Sequence, residues 1–380
     1  MTQDIEAKRI VIKIGSSSLT SINGEVSRRK LEKLVDEVVR LKEDGHEILL
    51  VSSGAVAAGY RKLGCLTRPE SLPEKQASAS IGQGLLVETY SDIFMSHGYV
   101  ASQILITRDD FSDENRYNNA RKTINVLLER GIVPIVNEND TISMDFLKFG
   151  DNDTLSAKVA GLVDADQLII LSDIDGLYDA DPRKDPNAKL LHEVNAITPA
   201  IEAAAGDPGS ANGTGGMKSK IDAVKIAMAS GISSFLGKTA TKNILYDAAY
   251  HDAKGTYFEP KEDIQNLNRK KQWIAFNSGP EGKVTVNDTA REAIINQSSI
   301  APTDIHTVSG RFDKGAVVKI YDVQGEVIGL GVVNYSSESL SKLINQPEIE
   351  KNNNEKAAIE SKHLVCHLDA KVPVSELITN

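Results

Sequence analysis

Apolar residues in the first 250 positions alternate between two spacings. Short, nearly continuous apolar runs read as buried strands: Ile10-Val11-Ile12-Lys13-Ile14, residues 48–51, 102–106, 132–136 and 167–171. Between them the spacing lengthens to that of a helix. Leu31, Leu34, Val35, Val38 and Leu41 form one such stripe, opened by Ser27 as N-cap and closed by Gly45. Residues 116–130 and 154–163 are further expected helices. Strands that do not alternate with polar residues are buried on both faces. The pattern therefore predicts an α/β fold with a mostly parallel sheet sandwiched between helices.

The pattern changes after about residue 255. Residues 283–286, 317–320 and 327–330 are short strand-like runs, punctuated by Gly282, Gly310, Gly315, Gly325, Gly329 and Gly331. A separate, small β-rich domain of about 90 residues is expected there. The expected division is 1–258, a linker at 259–273, a β-rich domain at 274–360 and a C-terminal segment at 361–380. Residues 345–357 are polar and read as a loop, and no internal repeat is evident.

Composition narrows the function classes. No apolar run approaches the ~20 residues of a membrane span, and residues 1–9 lack the apolar core of a signal peptide, so a cytoplasmic location is expected. The net charge of −10 disfavours broad nucleic-acid binding. Residues 261–380 hold 14 Lys and Arg against 16 Asp and Glu, so the second domain has no basic footprint either. Its one basic cluster, Arg269-Lys270-Lys271, is short and reads as solvated linker. Cys65 and Cys366 are too few for a disulfide framework. His363, Cys366 and His367 read as alternating strand positions, and no metal site is assigned.

Candidate chemistry gathers where strands end. Gly15-Ser16-Ser17, Ser52-Ser53-Gly54, Asn137-Glu138-Asn139-Asp140 and Ser172-Asp173 each follow an apolar run. In open parallel sheets, ligands bind beyond those ends. The box at 137–140 and a second, Gly150-Asp151-Asn152-Asp153, contain carboxylates and amides but no lysine or arginine. Such groups suit a molecule bearing an ammonium and an acid group, namely an amino acid. Phosphate has other candidate sites. Lys13 precedes the small-residue loop Gly15-Ser16-Ser17-Ser18, whose backbone N–H groups are open to approach. Asn212-Gly213-Thr214-Gly215-Gly216-Met217-Lys218-Ser219-Lys220 leads into a helical run at 223–227, a favourable anion site. Gly231 to Thr239 resembles a Walker A loop but has five residues between its glycines instead of four, and its interior reads as a strand. A third candidate runs from Ser172-Asp173 through Asp181-Pro182-Arg183.

Taken in this order, the segments resemble the amino acid kinase family. Gly176-Leu177-Tyr178-x-x-Asp181-Pro182-Arg183 is shared by several of its members. The set Ser52 to Gly59, Asn137 to Asp140, Gly150 to Asp153 and Gly213 to Met217 resembles the members that phosphorylate glutamate. From about Ile274, Val308-Ser309-Gly310-Arg311-Phe312 with Gly315 and Gly329 resembles a PUA domain. The resemblance implies ATP-dependent phosphorylation of the glutamate γ-carboxylate, the first step of proline synthesis. It implies Mg²⁺ held largely by phosphate and water, inhibition by proline near Asp140 and Asn152, and a homo-oligomer, dimer or tetramer. Ser53, Gly54, Asp140 and Asn152 match glutamate-binding positions. Lys13, Ser172, Asp173, Thr214, Gly215, Gly216, Met217, Lys218, Ser219 and Lys220 match ATP-binding ones. Asp153 matches a carboxylate organising the catalytic lysines Lys13 and Lys220. A monofunctional kinase is expected, since no length remains for a fused reductase. The alternatives are a family member acting on aspartate, N-acetylglutamate or a nucleoside monophosphate, an RNA-binding protein using the PUA domain, or an inactive regulatory homologue.

Overall fold

The computed structural model describes residues 6–21, 25–143, 152–205, 216–260, 267–296, 298–345 and 356–366. The chain divides into two compact units, Met1–Glu262 and Asp263–Asn380. The first unit begins β1 (Arg9–Ile14), α1 (Ser16–Leu19), α2 (Arg28–Glu43), β2 (Glu47–Val51), α3 (Ala55–Gly59), α4 (Leu72–Ser96), β3 (Ala101–Ile106), α5 (Arg108–Ser112), α6 (Glu114–Glu129) and β4 (Val133–Glu138). It continues through α7 (Asn152–Leu162), β5 (Gln167–Ser172), β6 (Glu193–Val194), α8 (Pro199–Ala205), α9 (Met217–Ala229), β7 (Ser233–Lys238), α10 (Ile244–Ala249) and β8 (Thr256–Phe258).

These strands form one sheet in the order β3-β4-β2-β1-β5-β7-β8-β6, parallel except for β7 against β8. Ile10, Ile12 and Ile14 enter a core shared with the α2 stripe, α4 and α10. Side chains alternate along a strand, so Val11 and Lys13 face the other side, where α7 packs on β1. The apolar patterning thus accounts both for the double burial and for the lysine's direction. Gly45 closes α2 as expected, at φ +94°. Ser27 stands at the N-cap position, but its side chain makes no capping hydrogen bond.

The chain builds β2, β3 and β4 on one side of β1 and then crosses to β5 on the other. The crevice at the C-terminal ends of β1 and β5 is therefore the topological switch point, where open α/β sheets bind ligands. Helix α4 is locked against α3 by direct backbone contact. A Cβ at Gly59 would lie 1.9 Å from the Ser78 carbonyl oxygen, and one at Gly82 would lie 1.9 Å from that of Ala55. Since α3 follows directly on the Ser52-Ser53-Gly54 loop, this contact anchors the loop to a 25-residue helix.

The second unit contains α11 (Arg269–Gln272), β9 (Gly282–Val286), α12 (Asp288–Ile295), β10 (Ile305–Ser309), β11 (Val317–Tyr321), β12 (Val327–Val333), α13 (Ser337–Ile344) and β13 (Ile359–Cys366). Among the described residues its strands are ordered β10-β9-β11-β12-β13 around a core that includes Val284, Phe312, Ile320 and Leu364. One boundary differs from expectation. Strand β13 runs across the proposed break at 360/361, because Leu364, Val365 and Cys366 are buried against this sheet. The basic triplet at 269–271, read as solvated linker, forms a helical turn capped by the Asn268 side chain and with no buried residue. Most of the polar stretch 345–357, together with His367, lies outside the described residues.

Candidate active site

The end of β1 carries Lys13, the first turn of α7 carries Asp153 and the first turn of α9 carries Lys220. The three meet at the switch point. Lys13 Nζ lies 2.5 Å from Asp153 Oδ1, and Lys220 Nζ lies 3.0 Å from Oδ2. Ser219 Oγ donates to the same Oδ2 at 3.1 Å. Asp153 is fully buried, and the two lysines are 7% and 5% exposed. Burial alone would raise the Asp153 pKa, but the charges of Lys13 and Lys220 and their hydrogen bonds outweigh it and hold the carboxyl below its ordinary value. Two ammonium groups share one carboxylate, so among the described residues this buried centre carries a net positive charge. A transferring phosphoryl group needs such a charge.

On the β2 and β4 side the site is built from amides. The Asn152 Nδ2 group donates to the Ser52 carbonyl, to Ser53 Oγ at 2.9 Å and to Asn137 Oδ1 at 3.0 Å. Asn137 in turn donates from Nδ2 to Gln83 Oε1 at 2.8 Å. The first box is not simply a loop after a strand. Strand β4 continues through Asn137 and Glu138, which pair with Leu105 and Ile106 of β3 and are buried. Only Asn139 and Asp140 lie beyond it; Asp140 is half-buried. Helix α7 likewise starts two residues earlier than its apolar spacing suggests, at Asn152, so both residues sit in its first turn.

Gly54 links this side to β1. It adopts φ +91°, and a Cβ there would lie 3.2 Å from Ser16 Cβ. A left-handed conformation costs alanine about 1–2 kcal/mol. Gly54→Ala is therefore expected to lower stability by about that amount and to displace the Ser53 loop, measurable by thermal unfolding and by a raised substrate KM.

On the β5 and β7 side, Ser172 Oγ donates to Asp173 Oδ1 at 3.0 Å. The Ser172 carbonyl accepts from Thr239, both N–H and Oγ1, at 2.9 Å. Ser18 Oγ reaches Thr239 Oγ1 at 2.8 Å, which ties the loops after β1, β5 and β7 together. Gly216 is the N-cap of α9 and offers no side chain to its first N–H groups. Among the described residues no side-chain cap is made to them, and N–H groups at a helix start suit an anion. Met217 and Ser219 are half-buried and Lys218 is exposed. The segment resembling a Walker A loop is strand β7. Asp181 and Arg183 close a turn on themselves, with bonds of 3.0 Å. Gly150, Asp151, Thr214 and Gly215 lie outside the described residues.

The lysine–aspartate centre, the amide cluster and the tied loops all fall within residues 8–238, which match the model of the amino acid kinase family, or one residue beyond. The chain belongs to the amino acid kinase family. Residues 282–351 match a PUA domain. Glutamate 5-kinase 2 of Bacillus licheniformis is 62% identical over 97% of this chain and 99% of its own length. Glutamate 5-kinase 2 of Bacillus subtilis is 61% identical over 99% and 100%. Carbamate kinase from Giardia lamblia bound to AMP-PNP has a TM-score of 0.50 at 17% identity, covering 67% of this chain and 99% of that one; it shares the fold. The chain is thus a kinase of this family followed by a PUA domain.

Gln83 is not among the residues that the sequence patterns single out, and Asn137 falls in a box expected to follow the strand rather than in the strand itself. The signal available for Gln83 was its setting, a polar residue between Gly82 and Gly84 in the middle of a long helix.

Proposed function

We propose that the protein transfers the γ-phosphoryl group of ATP to the γ-carboxylate of L-glutamate, giving glutamyl 5-phosphate and ADP, and that this is the first step of proline synthesis. The observation that carries the reading is the shared carboxylate of Asp153. It holds two lysines between an amide-lined side and a side where helix α9 begins at Gly216, which makes no side-chain cap. Glutamate occupies the first side, against Ser53, Gly54, Asp140 and Asn152. ATP occupies the second, against Ser172, Asp173 and residues 214–220.

A bond forms between a γ-carboxylate oxygen and the γ-phosphorus as the bond to the ADP oxygen breaks. The nucleophile is already ionised, so no general base is needed, and catalysis rests on alignment and charge. Lys13 neutralises the transferring group, and Lys220 neutralises the leaving ADP oxygens. Asp153 is committed to the two lysines and Ser219, so a Mg²⁺ accompanying ATP would be held by nucleotide phosphates and water and would offset the phosphate charge.

ATP-dependent ADP release should be supported by glutamate and not by aspartate, N-acetylglutamate or nucleoside monophosphates; preference for any of these would overturn the substrate. Proline, a cyclic analogue with the same ammonium and α-carboxylate, acts as an inhibitor at the glutamate side. It is expected to raise the glutamate KM while leaving kcat unchanged, and a pure fall in kcat would place it elsewhere. The reading includes a cytoplasmic location, where both substrates are available, and a homo-oligomer, dimer or tetramer, which light scattering distinguishes. Among the described residues no helix is long and apolar enough to cross a membrane.

A further inference from the structure

The amide cluster has a defined direction. An asparagine side chain can be turned end for end with little change of shape, so its orientation must come from its partners. Here backbone groups of unambiguous role decide it. The Glu138 N–H can only donate, so the Asn137 atom 3.0 Å from it is Oδ1. The Ser52 carbonyl can only accept, so the Asn152 atom facing it is Nδ2. With Asn137 Oδ1 turned toward Glu138 and Asn152, its Nδ2 must meet an acceptor, and the buried Gln83 supplies one at 2.8 Å.

The consequence falls on Asn152. Its two N–H hydrogens already face three acceptors, so it has no donor left for a ligand. Its remaining polar atom is Oδ1, and among the described residues nothing donates to it. An oxygen without hydrogens attracts an ammonium group and repels a carboxylate.

We infer that Gln83 and Asn137 are positioning residues that lock the Asn152 amide with its oxygen toward the substrate, so that Asn152 receives the amino acid's ammonium group. The inference rests on glutamate being the substrate. Gln83 suits the task because it sits beside Gly82, where α4 meets α3 backbone to backbone. The Gln83 side chain is itself buried, which limits the positions its carbonyl can take.

The test compares glutamate with glutarate, which has both carboxylates and no ammonium. Gln83→Met keeps the side-chain length and removes the acceptor; Gln83→Glu restores an acceptor oxygen. Gln83→Met is expected to raise the glutamate KM about tenfold, with ATP KM within about twofold, and to leave inhibition by glutarate unchanged. Gln83→Glu should recover most of the loss. Equal weakening of glutamate and glutarate, a parallel rise in ATP KM, or an unchanged glutamate KM would each overturn the inference. Absence of glutamate-dependent ADP release by the wild-type enzyme would instead overturn the substrate, and the inference with it.

Discussion

Lys220→Ala is expected to lower kcat about 100-fold, about 3 kcal/mol of transition-state stabilisation, while glutamate KM moves less than about threefold. Lys220 is buried, and its ammonium bonds Asp153 at 3.0 Å. In the proposed mechanism its charge is most needed when negative charge builds on the leaving ADP oxygens. In the same proposal glutamate lies against the amide side, on β2, β4 and the first turn of α7, so its ground-state binding should not depend on this residue. Steady-state kinetics at saturating ATP checks both quantities. An unchanged kcat would remove Lys220 from the chemistry, and a large rise in glutamate KM alone would move it to the substrate side.

Asp153→Asn should damage stability as well as rate. The variant leaves Lys13 and Lys220 in one buried pocket with no counter-charge, and an amide can offer a lone oxygen to only one of them. Removing one partner from a buried ion pair costs about 3–5 kcal/mol, a fall of roughly 10 °C in the unfolding transition of a unit this size. Activity should fall at least about 100-fold, because the lysines separate. The pH dependence has a definite sign. The folded carboxyl is held below its ordinary value, so its stabilisation is present above the unfolded pKa of ~3.9 and is lost as pH falls through the folded pKa. The stability gap between wild type and Asp153→Asn should thus be flat near neutrality and narrow below about pH 4. A gap that widens in acid would contradict the ion-pair account.

The proposed catalytic centre is legible in the sequence to the extent that strand ends are. Lys13 closes an apolar run, so a period of two and a sheet edge already aim it at the site. Asp153 and Lys220 begin helices, and glycine-rich or polar approaches mark such starts. Asn137 was misjudged because its polarity suggested that β4 had ended. A polar residue can finish a buried strand when its side chain is fully bonded, as this one is by Gln83, Asn152 and the Glu138 N–H. Gln83 could not be found by pattern. Helix α4 is rich in alanine, serine and glycine, and its close face is set by backbone contact at Gly82, not by an apolar stripe. In the second unit, the run 359–366 was cut at 360 because charged and polar residues interrupt it. Pairing with β12 from Val333 back to Gly329 keeps the strand intact.

Hydroxylamine trapping of the reaction product tests the central claim most directly, because an acyl phosphate reacts with it before cyclising. With wild-type enzyme, ATP and L-glutamate, the account predicts γ-glutamyl hydroxamate formed in step with ADP. ADP released without hydroxamate, or hydroxamate formed faster from another acid than from glutamate, would contradict it.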